Sequence, residues 1–184
     1  MTAMPNEKPY SVADIEALPE NQRAELIDGD LYLLATPIRI HQRLSGRLHQ
    51  KILNHIDQAG MPCDAYAAPF AVYIGGAEDN YNYVEPDISV ICDKMKLTDK
   101  GCVGAPDWII EIVSPSSIQT DYIRKLWLYE RSGVHEYWIV NPENQTVRTY
   151  TFTDDEAVTR AFIFDDAIPV RICDGFQIRI SDLL

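Results

Sequence analysis

Two apolar runs, PDISVIC (86–92) and DWIIEIVS (107–114), restrict this chain more than any other feature. Both are rich in β-branched residues, and both place apolar side chains at odd and even positions alike. Strand side chains alternate between two faces, so strands of this kind are buried on both sides and lie central in a sheet. In the second run Trp108, Ile110 and Ile112 point one way, and Ile109, Glu111 and Val113 the other. Glu111 is then a carboxylate inside a core strand. Burying it costs several kcal/mol unless it finds a partner, a proton or a cation.

The elements around these runs define a mixed α+β domain, read as one unit over 1–184. SVADIEAL is a short helix capped by Ser11. RAELIDGDLYLLA holds Asp28-Gly29 between two apolar arms, a hairpin signal. Residues 39–60, RIHQRLSGRLHQKILNHIDQAG, form a long amphipathic helix ending at Gly60. YAAPFAVYI (66–74) is a strand interrupted by Pro69, hence an edge strand or a bulged one. The stretch between the two apolar runs is a polar loop. A helix from about Ile118 to Ser132, the strands HEYWIVN (135–141) and TVRTYTF (146–152), and two or three short strands complete the chain.

No run of about 18 apolar residues exists, so no membrane span is expected. The polar stretch MTAMPNEKPY has no basic start followed by an apolar core, and the expectation is a cytoplasmic protein. Cys63, Cys92, Cys102 and Cys173 are scattered without a CxxC pair, which predicts free thiols and no zinc site. The net charge of −12 disfavours non-specific nucleic-acid binding by the whole surface, so such contact needs a local basic face.

Asp87 opens the first run, after Pro86. Alone it is a turn or cap residue. Sequential strands tend to neighbour each other, and neighbouring strands bring Asp87 and Glu111 to one site. Two close carboxylates repel unless they share a proton or a cation, and Mg²⁺ is bound by one or two carboxylates plus water. Lys125 has two readings: a surface pair with Asp121 four residues before it, or a cation reaching back to the acids to orient a water or stabilise charge on a phosphoryl oxygen.

EPDISVIC followed by DWIIEIVSPSSIQTDYIRKLWLYERSGVHEYWIVNPE resembles the Uma-type "putative restriction endonuclease" family, a branch of the PD-(D/E)XK nuclease superfamily. RAELIDGDLYLLA and HQRLSGRL resemble that family's opening, so the likeness runs from about Tyr10 to about Phe152. The resemblance implies a restriction-endonuclease-like mixed central sheet flanked by helices. It also implies a Mg²⁺- (or Mn²⁺-) dependent phosphodiesterase acting on DNA, and a homodimer. Asp87 and Glu111 correspond to the two metal-binding acids. The superfamily lysine stands two residues after the second acid, where this chain has Val113; in this branch it corresponds to Lys125 on the following helix. Glu25 corresponds to an additional early acid, a third metal ligand or a support to the metal shell.

On the long helix, at 100° per residue, Leu44, His55, Leu48, His41, Ile52 and Ile56 share one arc. His41 there is a core histidine by position; the resemblance implies a site role. Arg39, Arg43, Arg47 and Lys51, spaced by four, form a basic ridge beside the arc. They are four of only sixteen Lys and Arg, and read either as a phosphate-contact surface or as a solvated helix face. Lys94, Lys96 and Lys100 are a second candidate contact, and Tyr81 and Tyr83 are candidates for base stacking. Three alternatives stay open: a catalytically weak or inactive nuclease fold acting as a nucleic-acid-binding or regulatory module, a metal-free carboxylate-pair hydrolase, and a purely structural domain.

Overall fold

A computed structural model describes residues 4, 8–115, 117–153 and 156–184. Ser116 in the strand-to-helix join, and most of the N-terminal stretch read for a leader, lie outside the described residues.

The order is helix α1 (Val12–Glu16), strands β1 (Ala24–Ile27) and β2 (Asp30–Leu33), helix α2 (Arg39–Ala59), then β3 (Asp64–Ala67), β4 (Val72–Tyr73), β5 (Ile88–Ile91), β6 (Leu97–Thr98), β7 (Gly101–Val103) and β8 (Trp108–Ile112). A π-wound segment, Thr120–Lys125, runs into helix α3 (Leu126–Ser132). Strands β9 (Glu136–Asn141), β10 (Thr146–Phe152), β11 (Ala157–Ile163), β12 (Ile168–Pro169) and β13 (Gln177–Ile178) follow. Among the described residues no helix is long and apolar enough to cross a membrane.

The main sheet has six strands in the order β11-β10-β9-β8-β5-β3. Only β8 and β9 pair in parallel, as the crossover through α3 requires. The two apolar runs are β5 and β8, they neighbour each other, and both are buried throughout. Each sheet face carries its own core. Trp108, Ile110 and Ile112 pack with Leu44, Leu48, Ile52 and Ile56 of α2. Ile109 and Val113 pack with Leu128 and Tyr129 of α3 and with Val72 and Cys102 of a small sheet, β4-β7-β6.

The Asp28-Gly29 hairpin forms as expected: both residues adopt positive φ, 53° and 79°, which a tight turn of this hand needs. Three expectations differ from the structure. The stretch 66–74 is not one strand: β3 lies at the edge of the main sheet, as Pro69 implied, and stops before that proline, while β4 joins the small sheet. The polar loop after β5 holds a 3₁₀ turn and two short strands, with Lys94, Lys96 and Lys100 engaged by Asp64, the Ala105 carbonyl and Glu16. Cys63 and Cys92 are disulfide-bonded, not free; they flank β3 and β5 at opposite positions one step beyond the Asp64–Ile91 pair. Spacing in sequence could not show that register.

Leu48 is fully buried between α2 and the sheet. Leu48→Ala is expected to lower stability by about 2–5 kcal/mol, with an unchanged urea m-value in equilibrium unfolding.

Candidate active site

A cleft of about 630 Å³ opens where β1, β5 and β8 meet the start of α2 and the π-wound segment. Five of its lining residues are Glu25, His41, Asp87, Glu111 and Lys125. The sheet explains the acids. Ile88 pairs with Ile110, so one step further Asp87 stands across from Glu111, with side chains on the same face. Asp87 Oδ2 accepts the Ile112 N–H at 2.7 Å and lies 3.0 Å from His41 Nε2. His41 comes from the first turn of α2, whose apolar stripe seats that turn at the sheet's end.

Lys125 is buried, yet its Nζ meets three acids. It donates to Glu25 Oε1 and to Glu111 Oε1, both at 2.8 Å, and lies 3.7 Å from Asp121 Oδ1. Glu25, wholly buried on β1, reaches Nζ with its second oxygen at 2.8 Å as well, and its Oε1 accepts the Glu85 N–H at 3.0 Å. Glu25 therefore grips the lysine from the hairpin side. Tyr129 donates its hydroxyl to Glu111 Oε1 at 2.8 Å. Val113 is buried in the apolar core.

The electrostatics follow from four carboxylates facing one ammonium and one imidazole in a largely buried setting. Burial, with the negative charges of Asp121, Asp87 and Glu25, pushes Glu111 well above the carboxylate range despite the opposing pull of Lys125. Burial raises Asp121 to about 6, again against Lys125. Burial alone would lower Lys125; Glu111, Glu25 and Asp121 outweigh it and hold the ammonium above its ordinary range. His41 behaves likewise: Asp87, by hydrogen bond and charge, outweighs desolvation and favours the imidazolium.

The donor set suits a small hard cation in one respect. Asp87 Oδ1 and Glu111 Oε2 accept no hydrogen bond among the described residues, while the other oxygen of each is held. The surplus of negative charge favours a cation between them. Among the described residues no three His, Cys, Asp or Glu side chains are grouped to enclose an ion, so a cation here would rest on two carboxylates and water, an ordinary Mg²⁺ arrangement.

Asp121 and Tyr129 were not selected from the sequence. Asp121 was weighed only as half of a surface pair, yet it is buried. The available signal was the spacing: Asp121, Lys125 and Tyr129 are four apart in turn and share one helix face. Elsewhere, Arg39, Arg43 and Arg47 stand exposed along α2 and Lys51 is half-buried; the last three line a shallow groove with Asp182. Tyr83 is buried and donates to Glu85 at 2.8 Å, whereas Tyr81 is exposed.

The fold is shared with a crystal structure from Anabaena variabilis ATCC 29413, described as "a putative nuclease belonging to DUF820". The TM-score is 0.76 at 24% identity, covering 95% of this chain and 97% of that one. The chain is also 26% identical over 137 residues to an uncharacterized protein of Synechocystis sp. (strain ATCC 27184 / PCC 6803 / Kazusa), covering 74% of this chain and 70% of that protein. The Uma2 family model, described as "Putative restriction endonuclease", matches residues 12–181. The chain belongs to the Uma2 family.

Asp121 provides a test of the buried charge. Its pKa rises on folding from 3.8 to about 6, so the folded chain holds this proton longer. The associated stability is full below about pH 4 and is lost as pH rises through about 6. Asp121→Asn removes that loss. Its stability is therefore expected to fall less than that of wild type between about pH 4 and about pH 7.5, read by urea unfolding at both pH values.

Proposed function

We propose that this chain hydrolyses phosphodiester bonds in DNA with Mg²⁺ (or Mn²⁺) as its cofactor. The observation that carries this reading is the meeting of Lys125 with Glu111 at 2.8 Å, across the sheet from Asp87, in one cleft. Asp87 and Glu111 would hold the ion. When bound, it supplies Lewis-acid polarisation of a phosphoryl oxygen and acidifies a water.

The remaining work belongs to the chain's own groups. Glu25 and Glu111 take two of the three donors of the Lys125 ammonium. They keep its charge beside the acid pair, where it stabilises the negative charge that grows on the phosphate and orients the attacking water. His41 fixes one oxygen of Asp87 and, as imidazolium, offsets part of the acid surplus. Arg39, Arg43 and Arg47 stand exposed on α2 outside the cleft, two of them in a separate groove, and offer phosphate contacts to nucleic acid that flanks the cleft. Protein–DNA phosphate contacts of this kind give affinity without sequence choice.

Supercoiled plasmid is expected to be nicked with MgCl₂ and left intact with EDTA. Asp87→Ala and Lys125→Met should each lower the rate at least about a hundredfold. Identical behaviour of all three proteins, or indifference to metal, defeats the reading; DNA binding without cleavage would make the chain a binding or regulatory module. Separately, the pair Arg43→Ala and Arg47→Ala should reduce the slope of log affinity against log salt by about 2 in gel-shift titrations.

A further inference from the structure

Tyr129 is fully buried on α3, and its hydroxyl donates to Glu111 Oε1 at 2.8 Å. Lys125, one turn earlier, donates to the same oxygen at 2.8 Å. Oε1 thus receives two donors from one helix, while Oε2 accepts none among the described residues. The terminal torsion of a glutamate is broad and roughly two-fold, so an unrestrained carboxylate would sample many orientations. Two donors on one oxygen remove that freedom and leave the other oxygen turned from the helix. The ring that carries the hydroxyl is itself fixed: Tyr129 meets Tyr137 edge-on, with centroids 4.8 Å apart and planes at 80°. Tyr137 in turn donates to the Asp121 carbonyl at 3.1 Å, tying the tyrosine pair to the π-wound segment. Tyr129 does not line the cleft, so any effect it has on chemistry passes through Glu111.

We infer that Tyr129 is a positioning residue: together with Lys125 it pins Oε1 of Glu111 and presents Oε2, already oriented, to a divalent cation shared with Asp87. The inference rests on the metal reading of the cleft given above, and it extends that reading to a residue outside the acid–lysine set. Partners that orient a metal-ligating side chain commonly change metal affinity by about 10–100-fold when removed. Tyr129→Phe deletes only the hydroxyl and keeps the ring against Tyr137, which separates orientation from packing.

The test is calorimetric titration of MnCl₂ into the full chain, as wild type, Tyr129→Phe and Glu111→Gln, with a thermal melt of each in EDTA. Tyr129→Phe is expected to stay folded and to bind Mn²⁺ about tenfold or more weakly, and Glu111→Gln to bind more weakly still. An affinity for Tyr129→Phe within about twofold of wild type overturns the inference and leaves the metal reading standing, even if its melting temperature falls. A wild-type chain that takes up no Mn²⁺ overturns both. Mn²⁺ binding that weakens as expected in a chain that nicks no plasmid upholds the positioning role and defeats only the nuclease reading.

Discussion

The ammonium of Lys125 is the joint on which this structure turns. It is buried, and a lone buried cation of that size costs several kcal/mol even after relaxation. Glu25 and Glu111 at 2.8 Å, and Asp121 at 3.7 Å, compensate it. These partners come from three separate pieces of chain: the β1–β2 hairpin, the central strand β8 and the π-wound segment. The hairpin is not part of the six-stranded sheet. Glu25 ties it inward through Lys125 and the Glu85 N–H, beside the Leu26–Tyr83 bridge, its apolar contacts and the pairs of Asp28 with Arg131 and Asp30 with Arg124. Removing one partner of a buried pair leaves the other charge uncompensated, typically at 3–5 kcal/mol. The groups that line the cleft are therefore also groups that hold the layers together.

The same cluster is over-supplied with negative charge. Glu25, Asp87, Glu111 and Asp121 face only Lys125 and His41; burial raises the pKa values of Glu111 and Asp121, and the neighbouring negative charges add to the rise. A structural ion pair has no need of such a surplus, since one acid per ammonium suffices. The surplus sits in a chain whose net charge is already −12, which would repel a polyanion over most of the surface. The exposed arginines of α2 lie outside the cleft, two of them in a separate groove with Asp182, and offset that repulsion locally. Local positive charge beside a local acid cluster is what binding a phosphate backbone next to a cation site would require.

Much of this was legible beforehand because it rests on periodicity. The two-faced burial of 86–92 and 107–114 identified the central pair, and with it the opposition of Asp87 and Glu111. The α2 stripe of Leu44, Leu48, Ile52 and Ile56 followed from a 3.6-residue repeat. Asp28-Gly29 carried its own turn chemistry. What stayed hidden depended on long-range register. Pro69 was visible as an interruption, but which sheet would take Val72 and Tyr73 was not. Cys63 and Cys92 face each other only because β3 and β5 pair as they do. Asp121 looked like a surface acid because local spacing cannot tell a solvated helix face from one turned toward a buried lysine.

The winding of the helix that carries Lys125 explains how three polar side chains share that buried face. In α winding a step of four residues overshoots a full turn by about 40°. Asp121, Lys125 and Tyr129 would then drift by about 80° across two steps, spreading them over one face of the helix. The segment Thr120–Lys125 is π-wound, with wider turns that make the first step fall short of a full turn. The α-wound second step, through Leu126–Ser132, overshoots in the opposite sense. The two deviations offset each other, and Asp121 and Tyr129 come to flank Lys125 on one line. The local departure from regular helix thus lets one helix bring an acid to Lys125, and Lys125 with a hydroxyl to one carboxylate of β8.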